Sequence, residues 1–389
     1  MKIVFLSNFL NHHQLPMCLE FEKKLGQDFK FIATTKTPQV RLDFGYHELN
    51  DKYDFVICAY KGEEKKKAAQ VLCDEADVVI FGSAPEQYLK NRKKAGKVIF
   101  RYCERPLKQG LEPLKYIPRF IKWHLMSPQR KPFYVLCASA YTAADFAKFG
   151  LFIDRCYKWG YFPVVTEYED VEKLIEDKKP MSLLWVARLI PLKHPEVAID
   201  VAKRLRGEGY PVELDIVGNG VMEEELKARI SSENLGDYVH LRGAMSPEQV
   251  REYMDKSEIL LFTSDRNEGW GAVLNEAMNS ACVPVSSHVI GAAPFLTTDG
   301  VDGLIYEDGN TDDLYEKVKL LLDNKDKRRQ MAKNAYNTML HEWNAANAAN
   351  KFMQLVQMAL DGNKKPNPFK DGVLSRARVL SGSADDARK

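Results

Sequence analysis

The sequence predicts an α/β protein built from two doubly wound domains. Short, continuously apolar runs recur along the chain, which is typical of parallel strands that are covered on both faces. Helix-like segments of about ten to fifteen residues separate many of these runs, as the crossover between two parallel strands requires. A charged stretch at residues 164–180 interrupts the pattern, which then restarts and so indicates a second domain.

Six apolar runs are the predicted strands of the first domain, residues 1–163: KIVFLS, FKFIAT, DFVICA, DVVIFG, KVIFRY and YVLCAS. The second domain, residues 181–345, has MSLLWVA, VELDIVG, YVHLRG, SEILLFT, VPVSS and DGLIY. Three further segments are expected to be a linker with a short helix (164–180), a helix returning to the first domain (346–361) and a basic, disordered tail (362–389).

Composition favours a cytoplasmic globular protein. No window of the 389 residues approaches the ~18 apolar residues that a membrane span needs. The amino-terminal run lacks a small-residue cleavage site, so it is interpreted as a buried strand rather than a signal peptide. The seven cysteines are widely spaced and form no C-x-x-C pair, which favours reduced thiols over a disulfide framework or a zinc site.

The charge is unevenly distributed. Residues 1–163 hold 27 Lys/Arg and 17 Asp/Glu, a net charge of +10, whereas residues 164–361 hold 22 and 34, a net charge of −12. Two readings remain open: two domains with different partners, or simply two solvated surfaces.

Two cations follow the first predicted strand of the second domain. Arg188 and Lys193 lie in the loop before a helix that Pro195 can start. Ligands of open α/β sheets bind at the carboxyl ends of strands, and an arginine with a lysine there suits a diphosphate. Taken alone, two surface cations would be the simpler interpretation.

Two glycine loops follow the next predicted strands. Gly218 begins a Gly-Asn-Gly turn in which either backbone approach to a ligand or plain turn chemistry is expected. The loop Gly243-Ala244-Met245 lies at the same edge of the sheet, before a capping box formed by Ser246 and Gln249.

The stretch NEGWGAVLNEA places Glu268 and Glu276 on either side of a glycine turn, with a helix expected to begin near Ala272. Free N–H groups at a helix start favour phosphate. Carboxylates offset from that phosphate can accept hydrogen bonds from neighbouring hydroxyls, and a nucleotide sugar has such diols on both sides of its diphosphate. Alternatively, Glu276 only complements the helix dipole and Glu268 is a loop acid.

Four motifs in this order, ARLIPLKH, VGNG, VHLRG and EGWGAVLNEAM, resemble the nucleotide-binding domain of retaining GT-B glycosyltransferases of family four. The resemblance covers residues 181–345 and implies two Rossmann-like domains that face each other across a cleft.

The resemblance also implies roles for individual residues. Glu268 would contact the transferred sugar and Glu276 the ribose, while Arg188 and Lys193 would neutralise the diphosphate. The nucleobase would lie beside the Gly243 loop. The turn itself, Gly269, Trp270, Gly271 and Ala272, would complete the donor site, with Trp270 in place of the commoner Phe. Because the chain lacks a D-x-D motif, no metal is expected.

In the first domain, SNFLNHHQLP resembles the amino-terminal loop of that family without its usual glycine pair. Asn11, His12 and His13 are candidate acceptor-binding residues, and His13 is also a candidate catalytic residue; surface or capping roles are equally open. Glu104, beside Arg105, is a further acceptor candidate, although a structural ion pair is the simpler explanation.

Residues 106–132 combine six Lys/Arg and one Glu with aromatic residues. This composition suits an anionic membrane surface or a lipid-diphosphate acceptor, and also a basic solvated helix. Pro118 is expected to interrupt any long amphipathic helix here. Nucleic acid would fit the composition as well, but no nucleic-acid partner is expected.

The function that the resemblance implies is retaining transfer of a hexosyl-type sugar to a glycan or lipid-linked acceptor in envelope-glycan synthesis. UDP is favoured over GDP as the donor nucleotide. The alternatives are a catalytically silent nucleotide-sugar-binding subunit, or a nucleotide-sugar epimerase or hydrolase on the same fold.

Overall fold

The computed structural model of the protein describes residues 1–43 and 47–389. The chain forms two compact units, and each unit combines separate stretches of sequence. The first unit comprises Met1–Val164 and Trp343–Val379, and the second comprises Val165–Glu342 and Leu380–Lys389.

Each unit contains one parallel sheet, which confirms the predicted α/β class. The strands of the first unit are β1 (Ile3–Ser7), β2 (Phe29–Ala33), β3 (Val56–Cys58), β4 (Val78–Phe81), β5 (Val98–Cys103), β6 (Phe133–Cys137) and β7 (Cys156–Lys158). Those of the second unit are β8 (Ser182–Val186), β9 (Glu213–Val217), β10 (Val239–Gly243), β11 (Ile259–Phe262), β12 (Val283–Ser287) and β13 (Leu304–Tyr306). The three-residue β7 is the one described strand that the sequence pattern missed.

One described α-helix lies between each pair of successive strands, and four further described α-helices follow β13. In chain order they are α1 (Leu15–Leu25), α2 (Gln39–Asp43), α3 (Glu63–Glu75), α4 (Lys90–Ala95), α5 (Pro113–Met126), α6 (Thr142–Ala147), α7 (Val171–Glu176), α8 (Pro195–Gly207), α9 (Glu223–Ser232), α10 (Pro247–Lys256), α11 (Val273–Asn279), α12 (Ala293–Leu296), α13 (Thr311–Asp323), α14 (Lys325–Asn337), α15 (Ala345–Leu360) and α16 (Ala384–Ala387). A π-helical turn, Thr338–Glu342, follows α14. Helix α15 packs against α1 in the first unit.

The strand order of each sheet determines where its loops meet. The described strands run β3-β2-β1-β4-β5-β6-β7 in one sheet and β10-β9-β8-β11-β12-β13 in the other. Successive strands are therefore added towards one edge of the sheet up to β3 or β10, and towards the other edge from β4 or β11 onwards. The reversal lies between the parallel neighbours β1 and β4 in one sheet, and between β8 and β11 in the other. Right-handed crossovers then place α8 and α11 on opposite faces of the second sheet. At such a reversal the loops diverge and leave a crevice outside the carboxyl ends of the strands.

The tail at residues 362–389 is ordered against both units, so the prediction of a disordered tail is wrong. Val373 and Leu374 are fully buried in the first unit. The Leu374 N–H donates to the Lys158 carbonyl at 2.8 Å, and the Lys158 N–H donates to the Ser375 carbonyl at 2.8 Å. In the second unit, Arg388 donates to the Ile305 carbonyl at 3.0 Å. Val373 and Leu374 are only two apolar residues in a polar segment, so composition alone did not predict order here. Their burial nevertheless fixes the segment against β7.

The predicted linker is also part of a folded unit. The second unit begins at residue 165, so nearly all of residues 164–180 belong to it. Ile175 of α7 is buried. The Lys178 ammonium is buried and donates to the carbonyls of Met254, Asp255 and Ser280. Its burial lowers the Lys178 pKa.

Helix α5 continues through Pro118, so the expectation that this proline interrupts it is wrong. A proline removes one backbone donor and crowds the carbonyl four residues earlier. That carbonyl belongs to Leu114, which is 93% exposed, so water can satisfy it.

We predict that Leu374→Ala destabilises the protein by about 2–4 kcal/mol, because it removes buried methyl groups and leaves a cavity. Chemical denaturation followed by tryptophan fluorescence measures the change. The control is Val379→Ala, which removes a side chain that is 64% exposed and should change the free energy of unfolding by less than about 0.5 kcal/mol. Equal, small effects of both substitutions would contradict the observed packing of the tail.

Candidate functional site

An ion pair joins the two loops at the strand reversal of the second unit. Lys193 follows β8 and Glu268 follows β11, and their side chains pair directly. The Ser264 hydroxyl donates a hydrogen bond of 3.2 Å to the same Glu268 oxygen. Both charged side chains are 14% exposed, so water screens the pair only partly. Two of the predicted donor-site residues are therefore brought together without a ligand.

A buried hydrogen-bond chain supports the loop that carries Lys193. The Trp185 indole N–H donates to the Thr263 hydroxyl at 2.8 Å. That hydroxyl lies 2.7 Å from the Lys193 carbonyl and 2.9 Å from the His194 carbonyl, to which it donates. The chain links β8 and β11 beneath the ion pair. Sequence reasoning missed Trp185, Thr263 and Ser264, because each lies in or beside an apolar strand run that predicts only core.

Arg188 is exposed at the end of the same strand. Its guanidinium makes no hydrogen bond or ion pair with any residue that the structure describes. It is therefore free to bind an anion, as expected for a diphosphate ligand.

The Gly218 turn is required by close packing of two backbone segments. Gly218 has φ +138°, and a Cβ there would lie 1.8 Å from the Ala187 carbonyl oxygen. Gly220, which the sequence analysis did not select, has φ +157°, and its Cβ would lie 2.3 Å from the Leu189 carbonyl oxygen. The Leu189 N–H also donates to the Asn219 carbonyl at 2.8 Å. The turn thus holds the loop that carries Arg188.

The Gly243 loop is tied to the same edge. The Gly218 N–H donates to the Gly243 carbonyl at 2.8 Å. Ala244 is exposed and Met245 is half-buried. The predicted capping box is confirmed in the next turn, where Ser246 and Gln249 exchange hydrogen bonds of 3.0 and 3.3 Å. Contact between this loop and a nucleobase stays a prediction.

Helix α11 begins at Val273, close to the predicted start. The preceding turn needs a glycine, because Gly271 has φ +91° and a Cβ there would lie 2.4 Å from the Phe262 ring. The N–H groups of Gly271 and Ala272 find no acceptor within the described residues. Gly269 is buried. Because it has no side chain, it could contribute only backbone atoms to a donor site.

Trp270, which the resemblance assigns to the donor site, has its side chain in the core. The indole is fully buried. Its N–H donates to the Asn275 amide oxygen at 2.9 Å. Its backbone carbonyl accepts from the Ala292 N–H at 3.1 Å. Trp270 therefore supports the turn from beneath and does not present its ring to a sugar.

Glu276 is a half-buried carboxylate in the first turn of α11. Its carboxylate forms no hydrogen bond with any described residue. Burial raises the pKa of this group to about 7, against the opposing attraction of Arg251. A half-buried carboxylate that has a raised pKa and no hydrogen-bonding partner among the described residues is a candidate for a binding or catalytic role.

In the first unit, Tyr161 connects His13 with Glu104. The His13 and Tyr161 rings stack with centroids 5.2 Å apart. The Tyr161 hydroxyl donates to Glu104 at 2.6 Å. Lys108 also pairs with Glu104. The sequence analysis missed Tyr161, since a tyrosine in KWGYFP carries no motif.

The two histidines are held neutral. Burial, and to a smaller extent Arg41, lowers the pKa of His12 to about 4. Burial also holds the His13 pKa well below its ordinary value, helped by His12 and Arg41. The buried His13 Nδ1 atom forms no hydrogen bond with any described residue. His13 is thus available to accept or donate one hydrogen bond as a neutral imidazole.

Asn11 and Arg105 have structural roles. The Asn11 side-chain oxygen accepts from the N–H groups of His13 and Gln14, both at 3.0 Å, and so shapes the turn before α1. Arg105 forms a structural ion pair of 3.3 Å, and its partner is the buried Asp145. While its oxygen keeps this capping role, Asn11 could bind an acceptor only by donation from its side-chain NH2 group.

Among the described residues, no cluster of three or more His, Cys, Asp or Glu side chains could hold a metal ion. Independence of a metal stays a prediction, since a metal can also be brought by a substrate diphosphate. No described helix has the length and apolar character needed to cross a membrane. The seven cysteines are free thiols, and all except the half-buried Cys103 are buried.

Residues 167–338 match the family model of glycosyl transferases group 1. Among the curated proteins that this chain resembles are two bacterial glycosyltransferases. The amylovoran biosynthesis glycosyltransferase AmsK of Erwinia amylovora is 33% identical over 34% of this chain and 33% of its own length. The N-acetylgalactosamine-N,N'-diacetylbacillosaminyl-diphospho-undecaprenol 4-alpha-N-acetylgalactosaminyltransferase of Campylobacter jejuni is 32% identical over 43% of this chain and 44% of its own length. The alignments thus span less than half of each relative.

A solved structure extends the likeness to nearly the whole chain. Anabaena HepE in complex with UDP superposes with a TM-score of 0.67 over 92% of this chain and 100% of that chain, at 16% sequence identity. At this identity the likeness shows the fold, which is the GT-B fold of two Rossmann-like domains.

We predict that Glu276→Gln stabilises the protein at pH 8 and has little effect near pH 4.5. The unfolded carboxyl ionises near 4.5, whereas the folded one holds its proton up to about 7. The free energy of unfolding therefore falls as the pH rises between these values, and glutamine abolishes that loss. The expected gain at pH 8 is about 1–3 kcal/mol. Denaturation at both pH values tests this, and an equal effect at the two would contradict the raised pKa.

Proposed function

We propose that this chain, which belongs over residues 167–338 to the glycosyl transferases group 1, transfers a hexosyl-type sugar from a nucleoside-diphosphate sugar to a glycan or lipid-linked acceptor. The observations that carry the proposal are the half-buried carboxylate of Glu276 in the first turn of α11, which has no described hydrogen-bonding partner, and the Lys193–Glu268 pair at the strand reversal of the second unit. Carboxylates bind sugar hydroxyls, and lysine and arginine side chains bind a diphosphate.

Each group has one task in binding the donor. Glu276 accepts hydrogen bonds from the two ribose hydroxyls and is ionised when it does so. Arg188 and Lys193 neutralise the diphosphate, and the N–H groups of Gly271 and Ala272 donate to it. Glu268 exchanges part of its contact with Lys193 for hydroxyls of the transferred sugar.

The proposed reaction retains the anomeric configuration. The bond from the anomeric carbon to the diphosphate oxygen breaks, and the acceptor oxygen bonds to that carbon on the same face. The acceptor hydroxyl proton passes to the departing diphosphate. Because the acceptor bonds on the face that the diphosphate leaves, retention needs no covalent enzyme intermediate. Lys193 and Arg188 stabilise the negative charge that grows on the leaving group without a metal ion.

UDP is the proposed donor nucleotide, and envelope-polysaccharide synthesis the proposed setting. The UDP bound to the Anabaena HepE structure supports the first point. The names of the Erwinia and Campylobacter relatives support the second, and the diphospho-undecaprenol in the latter name also supports a lipid-linked acceptor. In the first unit, His13, Tyr161 and Glu104 are the proposed acceptor contacts, with His12 beside them.

The test combines nucleotide binding with turnover. Glu276→Ala should weaken binding of UDP roughly 10- to 100-fold, because two charge-assisted hydrogen bonds are lost. Glu268→Ala should lower turnover about 100- to 1,000-fold, while UDP binding stays within about threefold, because Lys193 is freed for the diphosphate. Calorimetry and product analysis measure the two effects.

Glu225→Ala, an exposed change on α9, is the matched control and should alter neither quantity. The reverse pattern, with Glu268 governing UDP binding, would overturn the assigned roles. Binding without turnover of any donor would favour a silent binding subunit. Sugar release or isomerisation that needs no acceptor would favour a hydrolase or an epimerase.

Binding of a nucleotide sugar should weaken about tenfold for each pH unit below 7. A ribose hydroxyl donates to the ionised Glu276, and the raised pKa of about 7 means that this form is depleted at lower pH. A nucleotide sugar is preferable to UDP as the probe, because its diphosphate is esterified at both ends and does not titrate in this range. Glu276→Gln should bind more weakly and show a flat profile between pH 5.5 and 8; a sloping profile in this variant would assign the titration to another group.

A further inference from the structure

Helix α5 presents a row of large aliphatic side chains to solvent. Leu114 is 93% exposed, Ile117 67%, Ile121 53% and Leu125 78%. None of the fourteen residues of this helix is buried. Exposed aliphatic side chains are ordinary when they are scattered, but a contiguous group marks an interaction surface.

The spacing of these four residues places them on a single face. They follow one another at intervals of three, four and four, which is the repeat of one stripe along a helix. The opposite face anchors the helix to the first unit. The Trp123 ring packs edge-on against Phe146 with centroids 5.1 Å apart, and the Tyr116 hydroxyl donates to the Lys148 carbonyl at 3.1 Å. The aliphatic stripe therefore points away from the protein.

Positive charge accompanies the stripe. On a helical projection, Lys115 and Lys122 lie along one side of it, and Lys122 forms no ion pair with any described residue. Lys115 pairs with Glu112 at 2.7 Å, but both side chains are more than half exposed, so the ion pair is weak and a lipid phosphate can replace Glu112. The chain after α5 continues with two more cations, Arg130 and Lys131.

This combination selects among the partners that the composition allows. A solvated helix has no need of four outward aliphatic residues. Nucleic acid binding would use aromatic rings for stacking, but Tyr116 and Trp123 are engaged with the core of the unit. A second copy of the chain would bring the same positive charge to the stripe. An anionic lipid surface satisfies both the aliphatic side chains and the lysines.

We propose that α5 is an interfacial membrane anchor that lies parallel to an anionic lipid surface. Leu114, Ile117, Ile121 and Leu125 enter the boundary between headgroups and acyl chains, and Lys115 and Lys122 remain among the phosphates. The helix is about 21 Å long and is immersed by about 5–10 Å along one face. This surface binds lipid whether or not the chain transfers a sugar.

The test is sedimentation of the full chain with vesicles of phosphatidylcholine alone or with about one third phosphatidylglycerol. Wild type should partition at least tenfold more strongly to the anionic vesicles, and the difference should shrink in high salt. The triple substitution Leu114→Gln, Ile117→Gln, Leu125→Gln should reduce the partition coefficient at least tenfold. Glutamine is a good helix former, so α5 should persist.

A matched triple variant controls for the general loss of exposed aliphatic side chains. Ile153, Val221 and Val379 are 62%, 82% and 64% exposed and lie outside α5. Changing all three to glutamine should leave vesicle binding within about twofold. A separate variant, Lys115→Glu with Lys122→Glu, should lose about tenfold or more on anionic vesicles and little on neutral ones. Because it leaves the aliphatic stripe intact, it tests the proposal independently of the first variant.

Three outcomes would overturn the proposal. The first is no binding of wild type to anionic vesicles. The second is equal loss of binding in the α5 variant and its control. The third is a shift from dimer to monomer in the α5 variant with unchanged lipid binding, which would identify the stripe as a contact between copies. Measured UDP binding should be the same in all variants, so failure here is distinguishable from failure of the proposed transferase activity.

Discussion

The ion pair between Lys193 and Glu268 joins the loops that leave β8 and β11, and the geometry of the candidate site depends on it. The pair is only slightly exposed, so each charge needs the other when no ligand is present. Its position is set from below by the Trp185–Thr263 hydrogen bonds. In the proposed donor complex, a diphosphate and a sugar hydroxyl would replace the two halves of the pair, so the pair would hold both side chains in place when the donor is absent.

Other polar groups in the loops after β8 and β11 and in the first turn of α11 have no protein partner. Arg188 has no ion pair, the Glu276 carboxylate has no hydrogen bond, and the N–H groups of Gly271 and Ala272 have no acceptor among the described residues. Several unpaired polar groups at one edge of a sheet indicate a place where a ligand can bind. The raised pKa of Glu276 has the same origin, since the carboxylate is desolvated before the hydroxyls that would stabilise it arrive.

The first unit serves two different kinds of contact. At the carboxyl ends of its strands, neutral histidines and the Tyr161–Glu104 hydrogen bond form a small polar cluster suited to a hydroxylated acceptor. On α5, aliphatic and cationic side chains form a surface suited to lipid. Both proposed contacts would suit a lipid-linked acceptor, because its glycan and its lipid are in different environments.

The sequence by itself determined the α/β class, nearly all the strands and the order of the donor-site motifs, because hydrophobic periodicity and glycine spacing are local properties. It also placed Arg188, Lys193 and Glu268 in loops that follow strands, and Glu276 in the helix after one of these loops. Only the tertiary structure decided the rest. It paired Lys193 with Glu268 and turned Trp270 into the core. It joined Tyr161 to Glu104, packed Leu374 onto the first unit and turned the stripe of α5 outward. Each of these features depends either on contacts between residues that are far apart in the chain or on which face of an element other segments cover. Hydrophobic periodicity in the sequence shows neither.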